Sequence, residues 1–227
     1  MKFVGSSNKN IVIVDNTQSD LRSKNARFLK KLVTYVQERR PYDNLILVST
    51  LKDFKKHEMQ ADFIILSGSR SDIPDLNMSD ERYSIGKRIV ERTCQLSNDK
   101  NHMHEQSIAP VLGICFGAQL INKILGGTLK KLPDFLCKMR QVHGVDHSTS
   151  KANVQFCLNF LPNRLSPRLR GTTIMANQPF KENIVAFEHP DCPLTGTLFH
   201  PEAHSSTHYI LDEFFKNGKI STSVVSN

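Results

Sequence analysis

With 227 residues, 39% of them apolar, the chain is long enough to bury the core of a single α/β domain, a class that commonly reaches about 200–250 residues. Its net charge of +8 is spread evenly, residues 1–110 holding 18 Lys/Arg against 14 Asp/Glu and residues 111–227 holding 12 against 8; the short clusters Lys30-Lys31, Arg39-Arg40, Lys55-Lys56 and Lys130-Lys131 lack interleaved aromatics, so they read as solvated faces and no nucleic-acid partner is expected. No apolar run approaches about 18 residues and no cleavable signal pattern stands at Met1-Lys2-Phe3-Val4, which argues against membrane contact and for a soluble, cytoplasmic protein.

The run Asn10-Ile11-Val12-Ile13-Val14-Asp15, apolar and ending in a polar residue, has the form of a buried parallel strand. From Asp20 onward, Leu21, Phe28, Leu29, Leu32, Val33 and Val36 fall at three- and four-residue spacings and predict a helix that Pro41 ends. Strands are expected at Leu45–Val48 and Phe63–Leu66, then a helix from about Ser79 to Leu96 and an exposed polar loop over 97–106. Pro110 to Ile114 predicts a buried strand that turns at Cys115 into a helix reaching Leu125, where Gly126-Gly127 supplies a left-handed cap. Repeated strand-helix-strand units imply an α/β fold, a mostly parallel sheet with helices on both faces. After Thr128, short strands at Val154–Leu158, Thr172–Met175, Ile184–Phe187 and Thr195–Phe199 predict a small antiparallel excursion that returns beside Cys115. One domain over 1–227 is expected, its core at about 10–216, with a frayed tail at 217–227.

Chemistry concentrates at two places. Gly113-Ile114-Cys115-Phe116-Gly117 is the cysteine form of the strand-turn-helix elbow: small residues flank a strained turn that presents one side chain. Cys115 then caps a helix whose dipole and free N–H groups favour the thiolate. Downstream, Gly196 to Phe199 reads as a strand ending in His200-Pro201-Glu202. Pro201 disfavours the helical conformation for His200, and in extended chain residues i and i+2 share a side, so Glu202 is expected to reach and orient the imidazole. Thiol, imidazole and carboxylate supply a nucleophile, a general base and an orienting group.

These two motifs, Gly113 to Gln119 and Phe199 to Glu202, resemble the signatures of class I glutamine amidotransferase domains, and the resemblance spans about residues 10 to 216. It implies a flavodoxin-like sheet with the helices and excursion described above. It also implies that Cys115 attacks the side-chain carboxamide of glutamine and releases ammonia through a γ-glutamyl thioester, with His200 and Glu202 completing the triad and Gln119 helping to hold the substrate. The loop Leu66-Ser67-Gly68-Ser69-Arg70-Ser71-Asp72 is the natural source of oxyanion donors, from Gly68 or Ser69 together with the N–H of Phe116. The sequence departs from the family pattern at Ser69, where the loop is normally richer in glycine and proline, and at Leu198, commonly Gln. It departs again at Leu158-Asn159-Phe160-Leu161-Pro162, where many relatives hold a Ser-His or His-Ser pair.

No cofactor and no metal are expected. The five cysteines (94, 115, 137, 157, 192) are scattered and odd in number, without Cys-x-x-Cys, which argues for reduced thiols. His200, His204 and His208 recur every four residues, but Pro201 interrupts a helix through them, and His102, His104, His143 and His147 have no carboxylate at an obvious ligand position. The resulting reading is a stand-alone glutaminase that acts on glutamine and supplies ammonia to a separate synthetase, in systems such as GMP or anthranilate synthesis. The alternatives are a γ-glutamyl peptidase or hydrolase using the same triad, and a regulatory protein with a weakened one.

Overall fold

The computed structural model describes residues 8–17, 26–69, 79–98, 108–144, 151–177 and 181–220. The start of the first expected helix at Asp20 and Leu21, the far side of the expected oxyanion loop at Arg70-Ser71-Asp72, most of the 97–106 loop and residues 221–227 of the tail lie outside them.

Five parallel strands carry the core in the order β2-β1-β3-β4-β11: Asn44–Val48, Asn10–Val14, Phe63–Leu66, Val111–Ile114 and Leu194–Thr197. Their apolar runs are continuous because helices cover both faces, and Ile11 to Val14 and Val111 to Ile114 are fully enclosed. The helix α1, Arg27–Arg39, buries Leu29, Leu32, Tyr35 and Val36. It meets the C-terminal helix α5, His208–Asn217, through Tyr35, whose hydroxyl donates to Asp212 and whose ring packs on His208 and Phe215. A second group of helices packs together: α2 (Leu51–His57) on α3 (Glu81–Asn98), and α3 on α4 (Phe116–Ile124). The fold class is the expected one.

The antiparallel excursion extends the same sheet by β10 (Ile184–Glu188), β9 (Arg170–Met175), β6 (Met139–Gly144) and β7 (Lys151–Gln155). A separate two-stranded ladder pairs β5, Thr128–Leu136, with β8, Leu158–Arg164. The strand expected at Val154–Leu158 is thus two strand ends with a junction at Phe156-Cys157. Pro133 in β5 and Pro162 in β8 mask the strand pattern in sequence, and a two-stranded ladder tolerates them because each strand has an open edge. Unforeseen α2 is short and polar, with only Phe54 buried, but Thr50 caps it by accepting the Asp53 N–H at 3.1 Å. Gly126, at φ +94°, turns the chain after α4, and the Gly127 N–H returns to the Asn122 carbonyl. No helix among the described residues is long and apolar enough to cross a membrane.

Candidate active site

Cys115 occupies the corner between β4 and α4 with φ 51° and ψ −103°, an arrangement that costs an L-residue strain. The corner is held on both sides. The Cys115 N–H donates to the Thr197 carbonyl at 2.7 Å, and its carbonyl accepts from the Gln119 N–H. Gly117 lets the first turn of α4 press against β3, since a Cβ there would stand 2.2 Å from the Leu66 carbonyl oxygen. The motif glycine is therefore a requirement of close approach at this corner.

His200 follows β11 in extended conformation, φ −105° and ψ 90°, as Pro201 dictates. The route to Glu202 differs from the expected one: Pro201–Ala203 form a 3₁₀ turn, and this turn, not an extended strand, carries the carboxylate back to the ring. His200 Nδ1 lies 2.7 Å from Glu202 Oε1, and both side chains are buried. That pairing leaves Nε2 to face the Cys115 thiol. Burial opposes the charge on His200, but the Glu202 carboxylate and the neighbouring Cys115 side chain outweigh it and push the imidazole pKa up to about 10. The ring is thus an imidazolium at neutral pH. Because the pKa is raised from 6.5, the pairing stabilises the fold fully below about pH 6.5, and the contribution is lost as pH rises through about 10. The unfolding midpoint should therefore fall between these values more steeply in the native protein than in His200→Gln, as thermal melts across that range would show; parallel curves would contradict the ion pair.

Sequence reasoning missed the surroundings of this ring. Phe28 of α1 lies flat on His200 with centroids 3.8 Å apart and planes 17° from parallel, fixing the ring orientation and adding cation–π attraction to its charged form. In the sequence Phe28 is one more apolar residue of an amphipathic helix, and only the tertiary fold brings it to His200.

Gly68 meets both partners at once: a Cβ there would come within 2.7 Å of His200 Cε1 and 3.5 Å of Cys115 Cβ. The loop is anchored from below by buried Asn16, whose Nδ2 donates to the Ser67 carbonyl at 2.8 Å while its N–H donates to Ser67 Oγ at 3.1 Å. Phe116 opens α4, so its N–H belongs to the first turn, which has no intrahelical acceptor. Gln119 is buried, its Nε2 donating to the Phe160 carbonyl at 2.9 Å and so tying α4 to β8. The junction after β7 walls the other side: the Gln155 carbonyl accepts the His200 N–H at 2.8 Å, and the Cys157 carbonyl accepts from Cys115 Sγ at 3.5 Å.

His204 is exposed between two 3₁₀ turns and His208 begins α5, so the four-residue histidine spacing forms no common helical face. The potential ligands that do converge among the described residues are buried Cys94, His189 and Cys192, with ligand atoms within 4.8 Å of one another. Burial and the neighbouring Cys94 push the Cys192 thiol up to about 12, and burial together with Arg168 lowers the pKa of His189. His189 Nδ1 accepts the Asp191 N–H at 3.1 Å, which puts the ring proton on Nε2, beside Cys192 Sγ. That tautomer presents a donor where a metal needs a lone pair, so the cluster reads as packed side chains.

The model of the class-I glutamine amidotransferase family matches residues 25–217. Among solved structures, the chain resembles a putative GMP synthase subunit from Thermoplasma acidophilum, with TM-score 0.69, 18% identity and coverage of 93% of this chain and 94% of that one. It also resembles a glutamine amidotransferase from Thermotoga maritima, with TM-score 0.59, 14% identity and coverage of 93% and 86%. At such identities the likeness speaks for the fold alone. No curated protein matches the chain in sequence. The extent of the family match, over a fold that these structures share, means that the chain belongs to the class-I glutamine amidotransferase family.

Proposed function

We propose that the protein is a cytoplasmic glutaminase subunit that hydrolyses the side-chain amide of glutamine through Cys115 and supplies ammonia to a separate synthetase. The observation that carries this reading is the strained, positive-φ Cys115 beside an imidazole that Glu202 orients at 2.7 Å. The Cys115 thiolate attacks the carboxamide carbon. The N–H groups of Phe116 and of Gly68 or Ser69 receive the oxyanion, each donor worth about 3 kcal/mol in such sites. His200, already protonated, acts first as an acid: its Nε2 proton goes to the departing nitrogen, and ammonia leaves. The neutral imidazole then takes a proton from water as it attacks the thioester, and glutamate is released. Gln119 acts in this reading by holding the Phe160 backbone, a wall of the substrate pocket.

A synthetase partner fits the name of the structural neighbour from Thermoplasma and the surface behind the triad. Glu202 borders a cavity of about 510 Å³ that Arg27, Lys30 and Lys31 also line, and its Oε2 has no hydrogen-bond partner among the described residues. An acidic partner surface would match the basic lining of this cavity.

A γ-glutamyl peptidase is the second reading. It is favoured by the buried apolar residues Leu158, Phe160 and Leu161, which stand where many relatives keep a polar pair, and by buried Leu198. Ammonia release from glutamine and amine release from a γ-glutamyl dipeptide separate the two. A glutaminase subunit should hydrolyse glutamine slowly alone and at least roughly tenfold faster with its synthetase and acceptor bound. Fast, partner-independent cleavage of the dipeptide, with glutamine a poor substrate, would decide for the peptidase.

A further inference from the structure

Across the end of the β5–β8 ladder the strands keep one register. Leu136 pairs with Leu158, the Phe156 N–H donates to the Lys138 carbonyl, and Met139 pairs with Gln155. Cys137 therefore stands directly opposite Cys157. Because the adjoining Lys138–Phe156 position is hydrogen-bonded, the cysteines occupy a non-hydrogen-bonded position of the antiparallel pair, where Cα atoms approach to about 4.5 Å and side chains converge. That spacing lies within the range of about 4.4–6.8 Å that a disulfide spans. Their sulfur atoms are 2.7 Å apart, inside van der Waals contact. Cys137 is exposed and Cys157 half-buried, so a small soluble oxidant reaches the pair.

We propose that Cys137 and Cys157 are a dithiol–disulfide site that governs access to Cys115. With glutathione disulfide as oxidant, the Cys137 thiolate attacks one sulfur and expels a glutathione thiolate. Cys157, as thiolate, then attacks Cys137 Sγ and expels the second. Two protein thiols become one disulfide, their two protons pass to solvent and glutathione, and the two electrons reduce one glutathione disulfide to two glutathiones. Five scattered cysteines in the sequence argue for reduced thiols, and all five are free here, with the register of two strands bringing these two together.

The consequence for the site follows from what Cys157 adjoins. Residues 155–157 form the wall whose carbonyls accept from the His200 backbone and from Cys115 Sγ. Cys115 is only 2% exposed, and in this proposal a reagent or substrate reaches it as this wall yields. A cross-link to Cys137 ties the wall to the opposite strand. It also keeps the Cys157 carbonyl lone pair against Cys115, where it favours thiol over thiolate. Oxidation of the pair should therefore slow Cys115 without modifying it.

The test treats the full chain with glutathione disulfide, alkylates it with iodoacetamide over a time course, and maps the products by peptide mass spectrometry. The expected result is a Cys137–Cys157 cross-linked peptide pair lighter by two hydrogens, and Cys115 alkylated at least about threefold more slowly than in the reduced protein. In Cys137→Ser the Cys115 rate should be the same with and without oxidant, and Cys157→Ser should stop at a glutathione adduct on Cys137. The proposal is overturned if Cys157 joins Cys115, if native Cys137 ends as the glutathione adduct, or if the cross-link leaves the Cys115 rate unchanged. These readouts need no glutamine, so they stand or fall separately from the glutaminase reading.

Discussion

His200→Ala should lower the turnover of the amide substrate by about 10⁴-fold, and Glu202→Gln should be milder by about 10²-fold. The difference rests on what each side chain holds. In the proposed mechanism His200 carries the proton that the leaving nitrogen needs, and no neighbouring group among those placed around Cys115 is positioned to replace it. Glu202 raises and orients the ring, but Phe28 stacked at 3.8 Å keeps the ring plane, and a glutamine amide oxygen can still accept from Nδ1–H. Its loss removes a charge that keeps His200 protonated, so the Glu202→Gln variant should also lose activity at lower pH than the native enzyme as pH rises. Steady-state rates across pH check both statements. Equal, negligible effects on an active enzyme would mean that another group protonates the leaving nitrogen.

The second large effect is expected at the elbow. Gly117→Ala places a methyl group 2.2 Å from the Leu66 carbonyl oxygen and 2.7 Å from its Cβ, in the middle of the parallel sheet where β3 cannot retreat. Overpacking of this kind costs about 3 kcal/mol, which lowers the melting temperature of a chain this size by roughly 6–12 °C. Leu66 leads into Ser67 and Gly68, so any backbone shift that relieves the clash moves the oxyanion loop and removes activity as well. Gly126→Ala is the control. Gly126 has φ +94°, which disfavours any side chain, yet no atom lies within 4 Å of the added methyl, so the change should cost only about 1 kcal/mol and spare turnover. Thermal melts of the two variants would contradict this expectation if Gly126→Ala were the more damaging.

The corner at Cys115 is legible in the sequence because a buried strand and a close-packed helix each leave local signatures, an apolar run on one side and glycines on the other. His200 is legible for a similar reason, since Pro201 fixes its backbone. Glu202 is found by its spacing, but the 3₁₀ turn that delivers it is not, because i and i+2 meet in either geometry. Phe28, Asn16 and Ser67 escape notice since their roles arise only when α1 and the ends of β1 and β3 converge. The 155–157 wall is hidden most deeply: it is the junction of two strands, and its pairing with residues 136–139 depends on a register that no local pattern announces. Strand β5 and helix α5 are missed for opposite reasons, the one carrying an internal Pro133 and the other beginning within a histidine-rich stretch that invites a metal-site reading.

The proposed chemistry turns on a covalent bond between Cys115 and the γ-carbonyl of glutamine. Rapid acid quenching of the enzyme during turnover of carbon-labelled glutamine, followed by peptide mapping, tests it directly. A γ-glutamyl label on the peptide containing Cys115, absent from Cys115→Ser together with ammonia release, is the predicted result. Label on Cys94, Cys137, Cys157 or Cys192, or ammonia release that survives in Cys115→Ser, would contradict it.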